Sequence, residues 1–248
     1  MKKIILSFVA AAAFAVSSSF AAQGTTSPYT DAVGDIDPGI STAGGTLDML
    51  GMEVTNDSTD ITFTLTVNGN VSTTDWGKFM VGIATGGTGT TTGNGWNRPI
   101  NLSSPVGGMD YWIGSWVDGG GGAQLYNYDG TNWNGPSSLG GFSFAGGPTS
   151  TITYTATLAS LGLAVNDTFY FDAYSSGGGG TDGAIDVLAN PNISITDWGQ
   201  AYTSSTTGDA GLGLNSYQVV PEPSTYALLV ISALGLAGYV ARRRAARR

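Results

Sequence analysis

The stretch DITFTLTVN, residues 60–68, decides the fold, because apolar and polar side chains alternate along it without interruption. Successive side chains of a strand point to opposite faces of a sheet, so a period of two over this length predicts a strand with one buried face. Threonine occupies most of the opposite face and suits solvent-facing strand positions. The face predicted to be buried carries Ile61, Phe63, Leu65 and Val67.

The segment before it, TLDMLGMEVTNDSTD, predicts the partner strand of a hairpin. Leu50, Met52 and Val54 recur at every second position and are expected to face inward. The residues 56–58, Asn-Asp-Ser, form the turn, because short polar side chains of this kind bond to nearby backbone groups.

The same alternation between Gly-rich and Asn/Asp-rich loops recurs along the chain, and helix-forming residues are scarce. Further strands are predicted at 78–83, 110–117, 123–129, 131–134, 142–144, 151–158, 168–174 and 214–219, with one helical turn within 158–163. We therefore expect an all-β fold, a single antiparallel, jelly-roll-like β-sandwich of about nine or ten strands, over residues 22–219. The sequence Thr-Asp-Trp-Gly occurs at 74–77 and again at 196–199; because the flanks differ, it indicates a recurring local turn.

Charge is distributed unevenly along the 248 residues. Of the nine basic residues only Lys78 and Arg98 lie within 22–219, which holds 17 of the 18 acidic residues. A body this acidic excludes nucleic acid as a partner, since that ligand requires a cationic face. It favours solubility and allows cation binding.

The chain contains no Cys and no His. Disulfides are therefore excluded, and zinc, copper and haem sites lose their usual ligands. Nucleophilic catalysis that depends on a His base is excluded as well. A glycosidase, which uses two carboxylates, remains an alternative, although no pair can be singled out from the sequence. We predict a protein that is not an enzyme and holds no cofactor, calcium excepted.

Aromatic residues suggest a carbohydrate-binding surface. Trp112 and Trp116 lie four residues apart on one predicted strand and so share a face, and Tyr126 and Tyr128 share a face of the next strand. Flat rings beside polar groups can stack on sugar rings. The alternative is that these four side chains fill the core of the sandwich.

Two Asp-rich stretches suggest a calcium site. Asp31, Asp35 and Asp37 lie in TDAVGDIDPG, and Asp182 and Asp186 lie in TDGAIDVL. Several carboxylates from one short loop suit calcium, although the spacing matches no EF-hand loop. The first three are the candidate metal ligands, and solvated turns are the alternative.

The N-terminal residues 1–21 read as a secretory signal peptide. Two lysines precede an apolar run from 4 to 16, which is too short to span a membrane comfortably. Small residues then precede an expected cleavage site between Ala21 and Ala22.

The C-terminal segment 220–248 has three parts. It begins with Val220, Pro221, Glu222, Pro223, Ser224 and Thr225, continues with an apolar run at 226–241, and ends in five arginines. The apolar run predicts a transmembrane helix at the short end of the usual length, with the arginines on the cytoplasmic side. A plain anchor is one alternative, but it does not explain the two prolines, which hold the backbone extended and open to a processing enzyme.

This order of parts resembles the PEP-CTERM sorting signal of Gram-negative bacteria that make exopolysaccharide. The resemblance implies recognition by exosortase in the inner membrane and cleavage near the Pro-Glu-Pro residues. It further implies transfer or release of the body to the cell surface or to the extracellular biofilm matrix.

The runs GTLDMLGMEVTNDSTDITFTLTVNG, GMDYWIGSW and LASLGLAVNDTFYFDAYSS are similar to DOMON-like and family 9 carbohydrate-binding β-sandwiches. That resemblance implies a sugar or haem ligand, and the absence of His argues against a usual haem site. We expect a secreted surface or matrix protein that binds polysaccharide weakly; the alternative is a structural or adhesion protein without a defined ligand.

Overall fold

The computed structural model describes residues 27–40, 45–190, 195–205 and 214–221, together with 230–234, 236 and 243. The first eight strands are β1 (Tyr29–Thr30), β2 (Met49–Asn56), β3 (Asp60–Asn68), β4 (Lys78–Ala84), β5 (Ile100–Ser104), β6 (Gly107–Gly108), β7 (Tyr111–Trp116) and β8 (Gly122–Tyr128). The remaining strands are β9 (Trp133–Ser137), β10 (Gly141–Ala145), β11 (Thr149–Thr157), β12 (Thr168–Ser176), β13 (Asp186–Val187), β14 (Tyr202–Ser205) and β15 (Asn215–Gln218). Single 3-10 turns lie at Asp118–Gly120 and Ala159–Leu161.

Two antiparallel sheets form the sandwich, which confirms the predicted fold class. Sheet A has the spatial order β1-β2-β3-β11-β10, and sheet B has the order β13-β12-β4-β7-β8-β9, with β15 paired to β12. All ten predicted strands are present. The expected total of nine or ten was too low, because β1, β5, β6, β13 and β14 were not predicted.

The hairpin of β2 and β3 forms as predicted, with one correction. A bulge between Met49 and Gly51 shifts the register, so Met49 is fully buried and Leu50 only half-buried. Gly51 has φ 151°, and a Cβ at this position would meet the carbonyl oxygen of Tyr29 on β1. Glycine therefore permits the close approach of the two strands here.

The core between the sheets is apolar and rich in aromatic rings. The predicted inward face of β3 is fully buried, and its Phe63 lies edge-on to Phe171 of β12, with ring centroids 5.9 Å apart. Buried polar contacts also join the two sheets, and one of them links Ser115 to Tyr154. The single hydroxyl proton of Ser115 is donated to the Phe79 carbonyl. Ser115 Oγ must therefore accept the second hydrogen bond, which the Tyr154 hydroxyl of sheet A donates at 2.8 Å.

A third, small sheet covers the outer face of sheet B. It has the order β14-β5-β6, and β14 runs parallel to β5. Ser204 of β14 hydrogen-bonds the hydroxyl of Tyr174 and the carboxylate of Asp172, both on β12. Both faces of sheet B are therefore covered in this region.

The strand β9 forms one edge of sheet B. Its residues from Asn134 onward are exposed, and Pro136 lies among them. Proline has no backbone N–H, so the edge lacks a donor at this position.

Candidate functional site

Half-buried aromatic side chains lie around Gln124 on the outer face of sheet B, at β7 and β8. Gln124 Oε1 accepts hydrogen bonds from Trp96 Nε1 and from the Tyr126 hydroxyl, each at 3.1 Å. Trp96 also lies 6.5 Å from Trp116, between ring centroids. We call Trp96, Trp116, Tyr126 and Gln124 the aromatic face.

Trp96 reaches this position from the loop before β5 because Gly114 leaves room for it. A Cβ at Gly114 would collide with the indole ring. Arg98 lies on the other side, with its guanidinium carbon 5.4 Å from the Trp96 ring centroid. The buried guanidinium donates to Ser176 and to the Asp182 carbonyl. The Trp96 indole is thus held by its hydrogen bond to Gln124, by its packing on Gly114 and by a cation–π contact with Arg98.

The structure buries Trp112, for which the sequence left a sugar contact and a core position as alternatives. Trp112 points to the same outer face as Trp116 but is 0% exposed, and the rings of Trp96 and Tyr174 pack against it. Its ring stacks on Tyr174 at 6.0 Å, and its Nε1 has no hydrogen-bond partner among the described residues. Trp112 therefore supports the aromatic face from beneath.

Tyr128 lies further along β8, where it forms a separate pair. Its ring is 5.5 Å from that of Trp133 on β9, and both side chains are half-buried. The structure thus brings together Trp116 and Tyr126 of the predicted set. The sequence did not show that Trp96 and Gln124 join them.

The two Thr-Asp-Trp-Gly segments meet in space. Trp76 and Trp198 pack edge to face with centroids 5.9 Å apart, and both are half-buried. The contact between these two tryptophans thus joins the segment before β4 to the segment before β14.

Three carboxylates converge at one end of the sandwich: Asp31, Asp35 and Asp186, which we call the acidic cluster. One oxygen from each lies within 4.8 Å of the others. Asp186 Oδ2 accepts from the Met49 N–H at 2.6 Å, which links β13 to β2. Asp37 does not join the cluster; its Oδ1 accepts from the Gly39 N–H, and it lines a small cavity with Asp48.

Burial in the acidic cluster disfavours the charged carboxylates. It raises the pKa of Asp31 to about 9, with repulsion from Asp186 and Asp35 adding to the effect. Burial likewise raises the pKa of Asp35 to about 6 and that of Asp186 well above its ordinary value. Asp172, which is completely buried on β12, has its pKa raised to about 7 for the same reason.

The folded body ends where the C-terminal segment begins. Val219 is fully buried, and Val220 is 46% exposed with its backbone bound to Asn56. Pro221 is the last described residue of this region, so Glu222, Pro223, Ser224 and Thr225 lie outside the described residues, as do Ala21, Ala22 and the whole predicted signal peptide.

Residues 230–234 and 236 are helical within the predicted transmembrane segment 226–241, whose other residues lie outside the described set. Their large apolar side chains are exposed; these are Val230, Ile231, Leu234 and Leu236. Among the described residues, no helix is long and apolar enough to cross a membrane. The transmembrane helix stays a prediction.

The β-sandwich and the C-terminal segment together are those of an exported β-protein with a C-terminal sorting signal. Residues 219–245 match the family model of the PEP-CTERM protein-sorting motif, so the chain carries this motif. The motif implies export, transient anchoring in the membrane and processing by exosortase before release at the surface. A comparison of the chain with curated proteins finds no match.

Proposed function

We propose that the released β body works at the cell surface or in the exopolysaccharide matrix of a Gram-negative bacterium, where it binds polysaccharide weakly and without catalysis. The observation that carries this proposal is the aromatic face. Its three rings are half-buried, and two of them, Trp96 and Tyr126, donate hydrogen bonds to the Gln124 amide oxygen. Rings of this kind stack on the CH faces of sugars, while the amide can bond hydroxyl groups.

The proposed binding mode differs from the one expected from the sequence. Trp116 and Tyr126 are the direct contacts, and Trp96 takes the place of the buried Trp112. Since Trp96 is fixed by Gln124 and packs beside Arg98, little side-chain entropy is lost on binding.

The absence of His and Cys supports a binding role over a catalytic one, because most nucleophilic and general-base mechanisms need one of them. The second candidate is a structural or adhesion protein with no defined ligand. It is favoured by the contacts of Trp96 with both Trp112 and Trp116, since rings that pack on one another also serve stability.

Affinity electrophoresis of the full chain, in gels containing exopolysaccharide purified from the producing strain, tests the proposal. We expect retardation of the wild type, weaker retardation of Trp116→Ala, and wild-type behaviour of Trp198→Ala, which replaces a half-buried indole elsewhere. Equal mobility of all three proteins with and without polysaccharide would favour the structural role. Equal retardation of all three would show that binding occurs at another surface.

A further inference from the structure

We propose that Asp31, Asp35 and Asp186 bind a calcium ion that fastens the two sheets of the sandwich together. One carboxylate oxygen from each of these residues lies within 4.8 Å of the other two. This spacing allows a single ion to contact all three oxygens, since calcium lies roughly 2.3–2.6 Å from its oxygen ligands. The site is independent of the aromatic face and of polysaccharide binding.

A second observation points to a ligand. Both carboxylate oxygens of Asp35 and the Oδ2 of Asp31 are shielded from solvent and have no hydrogen-bond partner among the described residues. Buried polar atoms are normally paired, so these three oxygens lack a partner that an ion would supply.

No basic side chain fills this role in the described part of the chain. Lys78 forms an ion pair with Asp118 at 2.9 Å, and Arg98 is bound to Ser176 and to the Asp182 carbonyl. The remaining described basic residue, Arg243, belongs to the C-terminal segment. None of these side chains therefore balances the negative charge that the acidic cluster takes on when its carboxylates ionise.

Neighbouring groups orient the ligands. Asp186 is held by the N–H groups of Met49 and Val187, one on each carboxylate oxygen. Such second contacts fix a ligand in place and leave lone pairs for the metal. Asp48 lies close enough to repel Asp35 and Asp186, but its carboxylate is already bound by Gly34. It adds negative potential without being required as a ligand.

Ligand chemistry selects calcium. The three side chains offer only hard oxygen donors, which suit calcium and magnesium and not the softer transition metals. The three ligands lie in or beside the two-residue strands β1 and β13, and calcium accepts irregular coordination whereas magnesium demands a strict octahedron. Extracellular calcium modules bind with dissociation constants of about 10⁻⁴ to 10⁻³ M.

The position of the cluster gives the ion a mechanical role. Asp31 and Asp35 follow β1 of sheet A, and Asp186 opens β13 of sheet B. An ion bound by all three would connect the sheets at the end where Asp186 already bonds β2. Calcium should therefore stabilise the fold as a whole.

The test uses the full chain in mild detergent, first freed of metal with a chelator and then melted with and without CaCl2. At about 10 mM CaCl2 we expect the melting temperature to rise by roughly 3–6 °C. Isothermal titration with CaCl2 should give one site per chain. The same concentration of MgCl2 should produce a clearly smaller rise.

The matched variants are Asp35→Asn, which removes a proposed ligand, and Asp37→Asn, which makes the same change two residues away and outside the cluster. Asp35→Asn should weaken calcium binding at least about tenfold, whereas Asp37→Asn should bind like the wild type. In chelator, Asp35→Asn should melt no lower than the wild type, because it removes an unbalanced charge.

Several outcomes would overturn the proposal. No heat of binding and no rise in melting temperature for the wild type would exclude the site. An equal rise with MgCl2 would indicate general screening of charge. An unchanged affinity in Asp35→Asn, or an equal loss in both variants, would show that these three residues are not the ligands.

Discussion

Asn56 and Val220 are joined by two hydrogen bonds: Asn56 Nδ2 donates to the Val220 carbonyl at 2.8 Å, and the Val220 N–H donates to Asn56 Oδ1 at 3.0 Å. The Tyr217 hydroxyl donates to the same Oδ1 at 2.8 Å. One residue of the first hairpin thus holds the first residue of the C-terminal segment, directly before the Pro-Glu-Pro sequence. The sorting motif starts directly at the surface of the folded protein.

Asn56→Ala should lower the free energy of unfolding by about 1–2 kcal/mol, because four hydrogen bonds of the Asn56 side chain are lost at a partly exposed position: these three and the one that its Nδ2 donates to the Asp57 carbonyl. Urea denaturation measures the change. Asn127→Ala serves as the control, since Asn127 is exposed and its side chain makes no hydrogen bond within the described residues. Equal stability of the two variants would show that Asn56 does not fasten the end of the body.

The surface form of the protein should end near the Pro-Glu-Pro residues and lack the apolar run and the arginines. Intact-mass spectrometry of protein released from the cell surface measures this directly. The N-terminus of the same form should begin at Ala22. A mass that includes Arg248 would contradict processing by exosortase.

Asp172→Asn should flatten the dependence of stability on pH. The pKa of Asp172 is raised from 3.8 to about 7 in the folded state by burial, so the folded protein holds a proton that the unfolded chain releases. The stability that protonated Asp172 contributes is fully present at low pH. It is lost as the pH rises from 3.8 to about 7, the ordinary and the folded-state pKa of this group. Between pH 5 and pH 7 the wild type should lose about 2 kcal/mol more than the variant in chemical denaturation. A parallel loss in both proteins would argue against the raised pKa.

Gly114→Ala should displace Trp96, because the added methyl group would occupy the space of the indole ring. We expect a loss of about 1–3 kcal/mol in stability and a change in tryptophan fluorescence. Gly180→Ala is the control, since a Cβ there would have no atom within 4 Å. An unchanged emission spectrum in Gly114→Ala would show that the indole does not lie over this position.

Local patterns in the sequence predicted most of the sandwich. Alternation defined β3 and β11. Asp57 forms the predicted turn by accepting hydrogen bonds from the backbone N–H groups that follow it, and Asp129 does the same between β8 and β9. The five missed strands have two to five residues, too few for a period of two to be recognised. Their pairing depends on the sheets they join.

The sites were harder to predict because they depend on contacts between distant residues. Asp186 meets Asp31 across more than a hundred residues of chain, and its predicted neighbour Asp182 instead bonds the Gly179 N–H. Trp112 is buried because Trp96 and Tyr174 pack against it, and Trp96 comes from a loop whose path alternation does not reveal. The sequence correctly predicted that Trp112 and Trp116 share one face of a strand. It did not predict which parts of that face are open to solvent.

Pro136 on the edge strand β9 affects how copies of this protein interact when they are crowded together. An open row of backbone donors and acceptors lets a second copy add its own strand and start a fibre. Pro136 interrupts that row at one edge of sheet B, and the neighbouring glycine offers no side chain for a docking strand to pack against. On a crowded cell surface, copies of this protein should therefore remain separate along that edge.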